Sequence, residues 1–171
     1  MNTQPSAIRQ RCLQCYRTHP AIQTTRQFSV ALSMKFYVDT SVWGGYYDKE
    51  FSEWTIRFIE QARQGRFSIV LSDVTINELQ NAPANVQNLP TTIAPHYIDL
   101  TTITEEQLTL ASHYVTEGAL TTKYYSDAQH IAIATILKVD SLVSWNFKHM
   151  VNFFRIKQYN AINLKFCYQI N

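Results

Sequence analysis

The sequence predicts an α/β chain, a three-layer α/β/α sandwich around a mostly parallel central sheet. Three observations carry this expectation. Short β-branched or aromatic runs alternate with segments of helical period along most of the chain. Capping residues and prolines fall where the helical segments should begin and end. Hydrophobic residues make up 46% of the 171 and charged residues 16%, which suits one globular core and excludes a disordered chain.

The elements follow in order. Phe36–Val38 is a short apolar strand ending on Asp39, with a loop expected at Gly44-Gly45. From Glu53 to Arg63, Trp54, Phe58 and Ile59 form a helical stripe. Phe67–Leu71 reads as a buried strand. Ser72 then caps a helix that Pro83 stops. Ile98–Leu100 is a weak strand, and Thr104 and Gln107 have capping-box spacing for a helix ending near Gly118. Asp127–Lys138 is the next helix and Leu142–Val143 begins a last strand. Strands separated by helices imply a parallel sheet covered on both faces.

No apolar run approaches the roughly 18 residues that cross a bilayer, so no membrane partner is expected. Cys12, Cys15 and Cys167 have no framework spacing. The lone CxxC has only His19 nearby, so reduced thiols in a cytoplasmic setting are expected rather than zinc. Residues 1–33 carry Arg9, Arg11, Arg17 and Arg26 and no acid. They are expected to be a poorly ordered extension ahead of a domain spanning 34–171. An Arg-rich leader without acids is transit-peptide-like, but an upstream translated extension is the preferred reading. Residues 34–120 hold five basic and eleven acidic residues, and residues 121–171 hold six basic and two acidic. An acidic middle beside a basic end suits a polyanion held near metal ions, although scattered solvated charge would look the same.

In parallel sheets, ligands bind where strand C-terminal ends meet helix N-termini. Asp39 ends the first strand, Glu78 lies in the helix after the second, Asp127 opens a later helix and Asn146 follows the last strand. Asp127 alone would serve equally well as a helix cap. Together, however, the four side chains would gather at one sheet edge, where carboxylates repel and raise one another's pKa. A divalent cation such as Mg²⁺ or Mn²⁺ reverses that penalty, and it activates water and neutralises phosphate charge, the chemistry of phosphodiester hydrolysis.

The blocks VDTSVW, TINEL, YYSDAQHIAIAT and LVSWNFKHMVN, followed by YNAINL, resemble the PIN-domain family of metal-dependent ribonucleases, in its SWNFKH subgroup. The resemblance runs from about Met34 to Leu164, with the blocks in order. It implies catalytic and metal-binding roles for Asp39, Glu78 and Asp127, with Asn146 at a fourth metal position where many relatives carry Asp. Thr40 and Ser41 would steady the first acid, while His130 reads as a packed structural histidine. Lys148, His149, Arg155 and Lys157 are candidate phosphate contacts, though the first two also suit exposed loop charges. The implied function is an endoribonuclease, as the toxin of a toxin–antitoxin pair, with RNA as substrate, an antitoxin partner and a homodimer. Relatives continue past YNAINL into a last strand, whereas this chain stops at LKFCYQIN. A catalytically weak PIN-like RNA-binding or interaction module is therefore the alternative. An aspartyl-phosphate phosphohydrolase ranks third, because Ser41 stands where that chemistry needs a second Asp.

Overall fold

The computed structural model describes residues 34–169. The extension 1–33, with Cys12 and Cys15, lies outside the described residues. Four strands form one sheet in the order β3-β2-β1-β4: β1 (Lys35–Val38), β2 (Ser68–Ser72), β3 (Ile98–Thr101) and β4 (Ser141–Val143). All three pairings are parallel, with Tyr37 opposite Val70 on one side and Leu142 on the other. β1 is thus central, and its C-terminal end lies beside the end of β4.

The strand period of two divides the core. Val38, Ile69 and Leu71 face a layer made by α1 (Thr40–Gly45) and α2 (Ser52–Arg63), where Trp43 and Ile59 are fully buried. Tyr37 and Val70 point the other way, onto Ile133 and Ala134 of α6 (Tyr125–Leu137). Burying such aliphatic side chains stabilises by about 1.5–3 kcal/mol each. A second helical layer packs behind α6, where Leu110, Ala111 and Tyr114 of α5 (Glu105–Thr116) and Tyr159 and Ile162 of α7 (Phe153–Lys165) meet Ala128, Ile131 and Ala132. α6 is therefore covered on nearly every side, and its alanines let α5 approach. The three-layer α/β/α arrangement expected from the sequence is observed.

Several local expectations change. Gly44 and Gly45 do not form a loop but complete α1, because Val42 and Trp43 have a core face to bury. The α2 stripe is rotated: Thr55, Ile59 and Ala62 are buried, while Trp54 is 58% exposed under the Arg57 guanidinium. Ser72 caps α3 (Asp73–Leu79) by accepting from Thr75 N, but α3 ends before Pro83, which instead leads into α4 (Ala84–Gln87). The Thr104–Gln107 capping box forms in full. α6 opens two residues earlier than expected, so Asp127 sits within its first turn and caps nothing. The YNAINL block lies in α7, and no strand follows β4 among the described residues. No helix among the described residues is long and apolar enough to cross a membrane.

The two glycines of α1 make a controlled pair. A Cβ on Gly45 would lie 2.7 Å from the Trp145 indole and 3.0 Å from Thr55 Oγ1, two groups already hydrogen-bonded to each other. A Cβ on Gly44 would meet nothing within 4 Å. Gly45→Ala should therefore cost about 1–3 kcal/mol by overpacking, whereas Gly44→Ala should be neutral or gain up to about 1 kcal/mol of helix propensity. Urea unfolding of the two variants checks this; equal stabilities would contradict the close packing of Trp145 on α1.

Candidate metal centre

Asp39 is the first residue after β1, and its N–H continues the ladder by donating to Val143 O at 3.0 Å. Its side chain does not cap α1. Instead Oδ2 accepts from Ser41 Oγ at 2.6 Å and from Ser144 Oγ at 2.8 Å. Those hydroxyls accept in turn from Trp145 N and Asn146 N, both at 2.9 Å. The carboxylate is thus fixed between the ends of β1 and β4. Only 5% of the residue is exposed, and Oδ1 stands 3.6 Å from His130 Nε2.

Glu78 reaches the same place from the last turn of α3. Its Oε2 accepts from Thr40 Oγ1 and its Oε1 from Ser126 Oγ, while His130 Nε2 lies 3.1 Å from Oε2. Ser126 and His130 are four residues apart on α6 and so share a helix face. Burial alone would raise the Glu78 pKa. The His130 contact and the two hydroxyl bonds outweigh it and hold the carboxyl at about 2. Behind His130, Nδ1 is 2.6 Å from the Tyr37 hydroxyl, which is 2.7 Å from Ser72 Oγ. Burial keeps that phenol protonated.

The three ligand atoms of Asp39, Glu78 and His130 all lie within 4.8 Å of one another, a group that could hold a metal ion. With metal–ligand bonds of about 2.1 Å, neighbouring ligand atoms of an octahedral site sit about 3.0 Å apart. The 3.1 and 3.6 Å edges at His130 Nε2 are near that value. The donor set fits a divalent cation.

Asp127 is not part of this closest group. Its Oδ1 accepts from Asn146 Nδ2 at 3.1 Å, and burial, reinforced by the Asp39 charge, raises its pKa. Asn146 spends its own oxygen on His149 N at 3.1 Å, closing the turn after β4, and presents its amide N–H₂ to Asp127. As placed, it steadies a carboxylate. Of the two hydroxyls expected beside the first acid, Ser41 donates to Asp39, whereas Thr40 donates to Glu78.

The candidate phosphate contacts divide. Lys148 and Lys157 are exposed, their ammonium groups 5.7 Å from the Tyr124 ring and 4.4 Å from the Phe153 ring. Arg155 is half-buried and donates to the Ala119 carbonyl. His149 is not an exposed loop charge: its ring is buried on Tyr124 with both nitrogens unpartnered, and burial lowers its pKa. The sequence reading missed His130, Ser126, Ser144 and Tyr37. A polar His130 directly ahead of the apolar run Ile131–Ala134, four residues after Ser126, was the available signal.

The two acids should titrate in opposite senses in metal-free protein. Glu78 contributes stability that is fully present above its unfolded pKa of 4.5 and is lost as pH falls towards about 2. Asp127, with its raised pKa, opposes folding once ionised and ceases to do so when protonated. At pH 7, Glu78→Gln should therefore melt below the wild type and Asp127→Asn at or above it. Both differences should shrink as the carboxylates protonate. Thermal melts from pH 2 to 8 in a chelator check this, and equal losses from both substitutions at pH 7 would contradict it.

No protein-family model matches the sequence, and no curated protein matches it. Among solved structures the chain is similar to VapC20 of Mycobacterium tuberculosis, described as a sarcin–ricin-loop-cleaving toxin. The TM-score is 0.52 at 12% identity, over 69% of this chain and 95% of that one. At this identity the similarity concerns the fold. With its four parallel strands flanked by helices, the chain has a PIN-like α/β/α fold.

Proposed function

We propose that this chain is a metal-dependent endoribonuclease in which Asp39, Glu78 and Asp127 act as one site. The observation that carries the reading is the convergence of Asp39 and Glu78. Two carboxylates from distant parts of the chain are held within ligand reach of each other by four hydroxyl donors. A cation bound there, Mg²⁺ or Mn²⁺, supplies activated water and neutralises charge on a scissile phosphate.

The chain's own residues do the positioning. Ser41 and Ser144 occupy Asp39 Oδ2 and leave Oδ1 directed at the centre. Thr40 and Ser126 hold Glu78 from opposite sides. Asn146 aligns Asp127 at the edge of the group, where its raised pKa suits proton exchange with a water or leaving oxygen. Lys148 and Lys157 would neutralise flanking phosphates, and exposed Phe147 and Phe153 offer faces on which bases could stack. The basic balance of residues 121–171 supports a polyanionic substrate. The similarity to a sarcin–ricin-loop-cleaving toxin supports RNA as that substrate, and with it an antitoxin partner. A homodimer is proposed on the family resemblance alone.

A non-catalytic RNA-binding module is favoured by one observation, the commitment of the Asn146 oxygen to His149. Cleavage of a structured RNA in Mg²⁺ separates the readings. Asp39→Asn, Glu78→Gln and Asp127→Asn should each remove most of the activity, and pairing any two should cost little more than one. Lys148→Ala with Lys157→Ala should weaken RNA binding and lower the log–log salt slope by about two units. Wild-type protein that binds RNA but leaves it uncut in Mg²⁺ and in Mn²⁺ alike would establish the second reading. Full activity of Asp127→Asn would remove that residue from the site.

A further inference from the structure

The proposed centre holds an imidazole where the sequence had suggested only oxygen donors, and this bears on which cation it takes. We infer that His130 Nε2 is a direct ligand of the cation bound by Asp39 and Glu78, so that the centre prefers a nitrogen-accepting transition metal such as Mn²⁺ over Mg²⁺. The inference rests on the metal-dependent reading and makes it more specific.

Three features place His130 in this role. Its Nε2 lies 3.1 Å from Glu78 Oε2 and 3.6 Å from Asp39 Oδ1, close to the edges of an octahedron around a small divalent ion. The ring cannot turn away, because the residue is 1% exposed and sits in the covered helix α6. Its other nitrogen is committed to Tyr37, whose hydroxyl reaches the buried Ser72 Oγ. In the metal-free protein Nε2–H can donate to Glu78 Oε2; with the ring proton instead on Nδ1 and donated to Tyr37, whose hydroxyl donates on to Ser72, Nε2 is free to give its lone pair to a cation between the two carboxylates. Metal-ligating histidines are held in this way, through an outer hydrogen bond on the far nitrogen that fixes tautomer and ring angle. The third carboxylate, Asp127, is drawn aside by Asn146 and stays outside the group.

The selectivity follows from donor chemistry. Mg²⁺ takes oxygen ligands almost exclusively, whereas imidazole nitrogen suits first-row transition ions. Replacing one carboxylate by a neutral imidazole also removes a negative charge that a hard cation would otherwise use.

The test uses Mn²⁺ itself as probe, on full-length protein. Pulsed electron paramagnetic resonance of the Mn²⁺-loaded wild type should show a directly coordinated nitrogen, shifted by ¹⁵N-histidine labelling. His130→Asn, whose amide can still reach Tyr37, should lose that coupling. It should also bind Mn²⁺ on the order of tenfold more weakly while Mg²⁺ affinity changes little. Tyr37→Phe should keep the coupling and weaken Mn²⁺ binding by about tenfold. His149→Ala should leave the coupling intact, which excludes the neighbouring imidazole as its source. Mn²⁺ bound by the wild type without nitrogen coupling, or an unchanged Mn²⁺-to-Mg²⁺ affinity ratio in His130→Asn, would overturn the inference and leave the nuclease reading standing. Absence of Mn²⁺ binding by the wild type would overturn both. If His130→Asn does not fold, the labelled wild-type spectrum decides alone.

Discussion

Two carboxylates brought to one place, one buried and the other half-buried, constrain everything around them. Asp39 is 5% exposed and Glu78 reaches it from α3, and bringing two acidic side chains together at such a place is costly. Hydroxyl donors at Ser41, Ser144, Thr40 and Ser126 offset that cost, as does the imidazole of His130. They come from three junctions of the fold: Thr40 and Ser41 from the start of α1, Ser144 from the end of β4, and Ser126 and His130 from the first turns of α6. Loss of any junction would leave a buried charge short of a partner, which is more costly than loss of a surface contact.

The sheet order explains how the junctions meet. β1 is central, β2 and β4 flank it, and all run parallel, so the ends of β1, β2 and β4 open towards the same edge. α3 leaves β2 at that edge carrying Glu78, and the turn after β4 carries Ser144 and Asn146. α6 is held by the sheet on one face and by α5 and α7 on others, which leaves Ser126, Asp127 and His130 directed at the edge. The Tyr37 side chain passes through this arrangement from the central strand to His130. The acidic site therefore borders a half of the chain whose charge is positive, with Lys148 and Lys157 on its surface.

Much of this was legible in the sequence. The four strands, the full capping box and the buried α6 follow from local patterns, because period, caps and β-branched runs are short-range properties. The approach of Asp39 and Glu78 to one edge follows from strand–helix alternation alone. Details governed by tertiary contact were not legible. The stripe of α2 turned because Thr55 is taken by the Trp145 indole, ninety residues away. The hydrogen bond that His149 N donates to the Asn146 oxygen in the turn after β4 was not legible either. The contacts of His130 with Tyr37 and Glu78 join residues 93 and 52 positions apart. Polar partners at such separation leave no trace in a window of sequence.

The measurement that tests the account most directly is anomalous X-ray scattering from a crystal of the protein soaked in Mn²⁺. The account predicts one strong peak bounded by Asp39 Oδ1, Glu78 Oε2 and His130 Nε2, at about 2.1–2.2 Å from each, and its loss in Asp39→Asn. A fully soaked crystal with those three atoms unchanged and no peak between them would contradict it.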